Sequence, residues 1–290
     1  MSSSDTLEVP GYRVVQYIGS GARSRIWQIR DVRTDEMFAL KQVVKRHTGD
    51  YRFLEQAINE YQTASCLDHP VIRKITVMRK VKRWLSLREI HLVMEYCHGL
   101  TVQDRRPSDL REVLRIYSEV ASGLAHINSR GFVHADIKPN NIVVAPSGEV
   151  KIIDLGQSCR MGAIKSRIQG TPDFIAPEQV HRRPLDARTD VFNFGASLYW
   201  TLTGRPIPTV LPKTNGSMLK ADMIIAPPEQ LNPDVPASLS KLVLDCVEQI
   251  PAHRPPSMSE VLSRLGLIAY TIERKANNAQ SSGGQTPSQE

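Results

Sequence analysis

The sequence predicts an α+β protein in which the strands come first and the helices follow. Two patterns and one stretch lead there. Between Tyr12 and Tyr96, short apolar segments with strand-like alternation are separated by polar or glycine-containing turns. From Ser108 onward the period changes, and Leu110, Val113, Leu114, Tyr117, Val120, Leu124 and Ile127 fall on one helical stripe. After that stripe, Phe132 to Asn141 puts an aspartate, a lysine and an asparagine close together. Two short strands follow, Ile142–Val144 and Val150–Ile153. Polar residues at the tips of paired apolar strands are held by the sheet and face a cleft.

Taken in order, residues 1–10 read as a polar leader. Tyr12 to Gln16 alternates as a half-buried strand and runs into Ile18-Gly19-Ser20-Gly21, a turn whose glycines let the backbone approach a ligand closely. Ile26 to Ile29 is the returning strand. Met37 to Lys41 is the next, and it places the Lys41 charge on an apolar segment, where it needs a partner. A helix is expected from Asp50, with Leu54, Ile58 and Tyr61 at helical spacing and Glu55 and Glu60 as candidate partners. Val71 to Trp84 and Ile90 to Tyr96 complete a five-stranded antiparallel sheet. His98-Gly99-Leu100 leads out of it.

In the second part, Gly131 stops the first long helix. Residues 157–176 lack periodicity and read as a loop. Thr189 to Thr203 is apolar nearly all round, which marks a buried helix, and Gly204 ends it. Pro206 to Pro236 reads as proline-rich and irregular. Leu239, Leu242, Val243, Cys246 and Val247 form another stripe, and Ser257 with Glu260 forms a capping box before a last helix. The composition from about residue 273 predicts disorder.

His134-Ala135-Asp136-Ile137-Lys138-Pro139-Asn140-Asn141 followed by Asp154-Leu155-Gly156 resembles the catalytic and metal-binding loops of the eukaryotic-type (Hanks-type) serine/threonine protein kinases. Gly19, Gly21 and Ile26 resemble their glycine-rich loop, and Met37 to Lys41 the strand that carries their lysine. Gly170 to Glu178 resembles their substrate-docking turn. The resemblance covers roughly residues 11–270. It implies a bilobal fold, with a small lobe over 11–97 made of a five-stranded antiparallel sheet plus one helix, and a large, mostly helical lobe over 98–272, before a tail over 273–290.

The resemblance also implies roles. Asp136 takes or orients the proton of the attacking hydroxyl, Lys138 neutralises the γ-phosphate, and Lys41, held by Glu60, binds the α- and β-phosphates. Glu60 is preferred to Glu55 because it stands nine residues before His69, in a His69-Pro70 pair that resembles the family's turn. Asn141 and Asp154 hold Mg²⁺. Ile18, Gly19, Ser20, Gly21, Ile26, Ala39, Lys41, Met94, Glu95, Cys97 and Val143 surround ATP, with the backbone of Glu95 and Cys97 bonding the adenine edge. His134 supports the loop by packing. Thr171 bridges Asp136 and Lys138, Asp190 braces the catalytic loop from below, and Glu178 pairs with Arg254. Ser166 and Thr171 are candidate phosphorylation sites.

Three positions depart from the family pattern. Ser24 stands where the third glycine is usual, Ala135 where the family has Arg, and Leu155 where it has Phe. Ala135 cannot anchor a phosphate in the activation segment, so weaker dependence on phosphorylation there is expected. The alternative is a nucleotide-binding pseudokinase acting as a signalling scaffold, supported by Ser24 and Ala135. A small-molecule kinase is disfavoured by the docking turn, which suits an extended peptide.

The remaining features bound partners and setting. The first residues carry no basic-then-apolar leader, and no apolar run approaches the roughly 18 residues needed to cross a bilayer. Cys66, Cys97, Cys159 and Cys246 lack metal-type spacing and read as reduced thiols, which implies a cytoplasmic location. The net charge is +7, with Arg79, Lys80, Lys82, Arg83 and Arg88 clustered around an expected hairpin. No aromatic stacking platform is evident there, so nucleic acid is not expected as a partner. A protein substrate with serine or threonine is expected, and a regulatory protein partner is compatible with so little appended sequence.

Overall fold

In the computed structural model, which describes residues 7–21, 23–208 and 225–282, the strands β1 (Tyr12–Gly21), β2 (Ser24–Asp31), β3 (Met37–Val44), β4 (Ile75–Arg83) and β5 (Ser86–Glu95) form one antiparallel sheet in the order β1-β2-β3-β5-β4. The expected five-stranded small lobe is present. β1 extends past the expected Gln16 because its ladder with β2 continues to Gly21 opposite Ser24.

The helix α1 (Tyr51–Ala64) covers one face of the sheet, packing Leu54 and Ala57 on Val43, Ile90, Leu92 and Met94. Asp50 stands just before it but does not cap it. Its carboxylate instead accepts the backbone N–H groups of Arg46 and His47 and pairs with Arg23. The other face carries Ile29, Leu40 and Val93, and Val9 packs there, 4% exposed. The described end of the expected polar leader is therefore part of the small-lobe core, because this sheet is buried on both faces. Residues 1–6 lie outside the described residues.

β4 corrects the expected strand Val71–Trp84 at both ends. Val71 and Ile72 are buried with the large-lobe core, and Val71 C=O accepts the Ile152 N–H at 2.6 Å while Arg73 N–H donates to Ile152 C=O at 3.0 Å. Those backbone bonds go to the other lobe, so the strand cannot begin until Ile75. Trp84, expected within the strand, instead forms the hairpin turn with Leu85. An exposed aromatic thus does accompany the basic cluster.

The large lobe begins with β6 (Leu100–Thr101), which joins β8 (Ile142–Val144) and β9 (Val150–Ile152) in a small sheet. β7 (Phe132–Val133) pairs with β10 (Cys159–Arg160). The helices are α2 (Leu110–Ser129), α3 (Pro177–Val180), α4 (Ala187–Thr203), α5 (Pro228–Leu231), α6 (Ala237–Cys246) and α7 (Met258–Ser282). α2 starts where Asp109 accepts the Arg111 N–H, and it buries the predicted stripe. Tyr117 on that stripe hydrogen-bonds Ser197 and Thr201 of α4, which satisfies a fully buried hydroxyl. α4 is buried almost all round, as its composition predicts. Gly195 lets it approach α6, since a Cβ there would lie 2.5 Å from Cys246 Cβ. Gly204, at φ +72°, ends α4 in the left-handed conformation.

Two expectations change in this lobe. The tail expected to be disordered from residue 273 is helical through Ser282. Glu273, Arg274, Lys275 and Ala276 are strong helix formers that continue α7, and residues 283–290 lie outside the described residues. Within the proline-rich stretch, α5 is a short ordered helix, and residues 209–224 lie outside the described residues. Among the described residues no helix is long and apolar enough to cross a membrane. All four cysteines are free thiols.

Candidate active site

The sheet, α1 and the segment just after β9 meet around Lys41. On β3 this residue is opposite Ile26 of β2 and Leu92 of β5, so the strand ladder fixes its backbone. Its Nζ donates to Glu60 Oε2 of α1 at 2.7 Å and to Asp154 Oδ1, just beyond β9, at 3.4 Å. Burial opposes the Lys41 charge, but Asp154 and Glu60 outweigh it and hold the ammonium above the ordinary lysine range. Lys41 in turn holds the Asp154 carboxyl well below the usual carboxylate range. The expected choice of Glu60 over Glu55 agrees with this geometry, since Glu60 is buried and bonded to Lys41 while Glu55 is exposed.

The loop between β7 and β8 forms a second cluster, with Thr171. Asp136 Oδ2 accepts from Lys138 Nζ at 3.0 Å, and Asp136 Oδ1 accepts from Thr171 Oγ1 at 3.0 Å. Lys138 Nζ also donates to Thr171 Oγ1 at 2.5 Å, closing a triangle. Burial raises the Asp136 carboxyl above its ordinary value, with Lys138 opposing. From below, Asp190 accepts the backbone N–H groups of His134 and Ala135, each at 2.9 Å. Asn128 adds a side-chain bond to the same carboxylate at 2.8 Å. These bonds hold Ala135 at φ +61°, a conformation costly for a residue with a side chain. His134 is fully buried, and its Nδ1 accepts the Asp136 N–H at 3.2 Å. Burial pushes its pKa down to about 4, so it is neutral and supports the loop.

A cavity of about 300 Å³ joins the two clusters, lined by Gly21, Ser24, Lys41, Glu60, Asp136, Lys138 and Asp154 among others. A Cβ on Gly19 would meet nothing within 4 Å, so this turn leaves open space beside it. Val143 and Ala39 are buried, and Met94 is sealed completely in the packing under α1. The Glu95 N–H is bonded to the Lys74 carbonyl, its carboxylate to Lys151 at 2.6 Å, and its carbonyl accepts from the Cys97 thiol at 3.9 Å. Asn141 Nδ2 donates to the Asp136 carbonyl at 2.9 Å, which orients its amide and leaves Oδ1 as an acceptor. An ionised Asp154 and an amide oxygen are hard oxygen donors, and they fit a divalent cation such as Mg²⁺.

Several contributors escape sequence reasoning. Arg73 approaches Glu60 Oε1 at 3.7 Å, so Glu60 lies between two cations. Arg23, at the tip of the glycine turn, pairs with Asp50 at 3.1 Å and ties that turn to the start of α1. Asn59 of α1 donates to the Ser158 carbonyl at 2.8 Å, and Gln179 Nε2 donates to the Ala135 carbonyl at 2.7 Å. Only Arg73 carries a signal in the sequence, a charge set between apolar Val71-Ile72 and Ile75, and it shares that signal with its neighbour Lys74.

Comparison with known proteins agrees with this arrangement. A family model described as the protein kinase domain matches residues 12–264. The chain belongs to the protein kinase domain family. This kinase domain is 28% identical over 252 residues to the serine/threonine-protein kinase PrkC of Bacillus subtilis, covering 84% of this chain and 38% of that protein. It is 28% identical to the serine/threonine-protein kinase PknA of Mycobacterium tuberculosis, covering 84% of this chain and 58% of that protein. It is 29% identical over 289 residues to the serine/threonine-protein kinase PknL of the same organism, covering 93% and 70%. The chain therefore spans 38% and 58% of the lengths of PrkC and PknA.

Proposed function

We propose that this kinase domain transfers the γ-phosphoryl group of ATP to serine or threonine hydroxyls of protein substrates. The observation that carries the reading is the convergence of the Lys41–Glu60–Asp154 and Asp136–Lys138–Thr171 clusters on one cavity.

In this reading Lys41, held by Glu60, positions the α- and β-phosphates. Glycines 19 and 21 let the β1–β2 turn lie over them, and Ile18, Ser20, Ile26, Ala39 and Val143 enclose the nucleotide. Met94 closes the back of the adenine pocket, and the backbone of Glu95 and Cys97 meets the adenine edge. Asp136 orients the substrate hydroxyl and accepts its proton as the oxygen attacks the γ-phosphorus. The bond to the β–γ bridging oxygen breaks, leaving ADP. Lys138 stands beside Asp136 and offsets charge on the transferring group. Asn141 and Asp154 would hold Mg²⁺, which neutralises phosphate charge. Thr171 fixes the Asp136–Lys138 geometry and marks a serine/threonine site. The four free thiols suit a cytoplasmic setting.

The test is transfer of label from γ-labelled ATP with Mg²⁺ to the protein itself and to a generic basic protein, wild type beside Asp136→Asn. Label on serine or threonine that disappears in the variant is the expected result. Nucleotide binding with no transfer to any substrate would instead favour a scaffold that binds without catalysing.

A further inference from the structure

The β4–β5 hairpin ends in the two-residue turn Trp84–Leu85, whose side chains are 93% and 99% exposed. Such exposure means neither residue contributes to the fold by packing. Trp84 also sits at φ +58°. At that turn position Gly or Asn is favoured, and a bulky residue is costly. The chain thus keeps two large apolar side chains at a point where one strains the backbone and neither packs against the other described residues.

The surroundings are strongly basic. From Arg79 to Arg88 there are five cations and no acidic residue. Lys80, Lys82, Arg83 and Arg88 are exposed, while Arg79 lies over the Tyr12 ring. A bulge between Val81 and Lys82 disturbs the ladder just before the tip. A convex apolar point ringed by cations complements a planar, deformable, anionic surface with an apolar interior. Indole rings settle at the headgroup level, lysine and arginine pair with anionic headgroups, and leucine reaches the acyl boundary. Nucleic acid matches less well, because Leu85 offers neither a stacking face nor a hydrogen bond.

We propose that the Trp84–Leu85 tip docks this domain on an anionic lipid membrane, with Lys80, Lys82, Arg83 and Arg88 against the headgroups. Trp84 stands eight residues before Leu92, the β5 partner of Lys41. At roughly 3.3 Å per residue the cavity lies on the order of 26 Å along the strand from the tip, so docking leaves it open.

The test is co-flotation of the full chain with phosphatidylcholine vesicles and with vesicles also containing phosphatidylserine. Binding to the anionic vesicles alone is expected. Trp84→Asn is the informative variant, because Asn tolerates the left-handed conformation and should leave thermal stability equal or higher. Its vesicle affinity should fall at least about tenfold. The pair Lys82→Glu with Arg83→Glu should fall at least as far. With vesicles in saturating excess, brominated lipid should quench wild-type emission more than that of Trp84→Phe. Absence of binding to anionic vesicles, or binding unchanged in both variants, would overturn the proposal. So would tighter, Trp84-dependent binding of single-stranded RNA or of polyglutamate.

Discussion

Arg73 stands 3.7 Å from the Glu60 oxygen that Lys41 does not take. Glu60 therefore has a second cation beside it, on the oxygen that Lys41 leaves free. Replacing Arg73 with Leu should lower kcat/KM about tenfold, roughly 1.4 kcal/mol, without removing any group that touches the transferred phosphoryl. The exposed neighbour Lys74, replaced in the same way, should change it less than about twofold. Steady-state kinetics with varied ATP checks both, and an equal effect at the two positions would refute the assignment.

Glu178 and Arg254 hold the large lobe together across 76 residues of sequence. Arg254 Nη1 and Nη2 donate to the two carboxylate oxygens at 2.7 and 3.0 Å, and the Arg254 side chain is fully buried. Removing one partner leaves the other buried and unpaired. Glu178→Gln or Arg254→Met should cost about 3–5 kcal/mol in urea unfolding. Arg254→Met should be the worse, because Arg254 also donates to the carbonyls of Glu248 and Arg188. The double variant should cost less than the sum of the two.

His134 gives the fold an acid sensitivity. Its folded pKa is pushed down by burial to about 4, from an ordinary 6.5. Between those values the unfolded chain binds the extra proton and the folded one does not. Its contribution is therefore complete above pH 6.5 and lost as pH falls through 4. The amount is about 3 kcal/mol. His134→Asn keeps an acceptor for the Asp136 N–H and cannot titrate. Its stability should fall less between neutral pH and pH about 4.5, by ~2 kcal/mol, in urea melts.

The segment after Asp154 is held without a charged anchor at Ala135. Ala135 packs with Val133, Leu185 and Cys159. The backbone bonds Met161–Gly131 and Gly162–Leu185, at 3.0 and 2.8 Å, fix the chain there. Arg182 holds the Ser166 carbonyl at 3.2 Å. Phosphatase treatment, or Ser166→Ala, should therefore leave kcat/KM within about threefold of the untreated protein. A loss of a hundredfold would show that a phosphate orders this segment after all.

The parts of the site supplied by residues close together in the chain are legible in the sequence. His134 to Asn141 and Asp154 to Gly156 lie at the ends of short strands, so their residue types and spacing place them together. The strand pattern likewise puts Lys41 on a central strand, where Ile26 and Leu92 flank it. Arg73 is not legible, because Arg73 and Lys74 look alike in sequence and only the bridge to Ile152 decides which one turns inward. Val9 is hidden because a polar leader gives no sign of which sheet face needs covering. The helical tail is hidden because amide and serine residues obscure a run of helix formers.

By itself, then, the sequence determined the order of strands and helices, the buried stripes of α2 and α4, and the chemical groups of the site. These follow from periodicity and from residues a few positions apart. Only the tertiary structure decided that Glu60 sits between two cations, that Arg23 ties the glycine turn to Asp50, and that Trp84 projects from a basic hairpin. Each depends on distance in space or on exposure to solvent. Those quantities are set by how sheet, helix and loop pack together, and local pattern does not encode them.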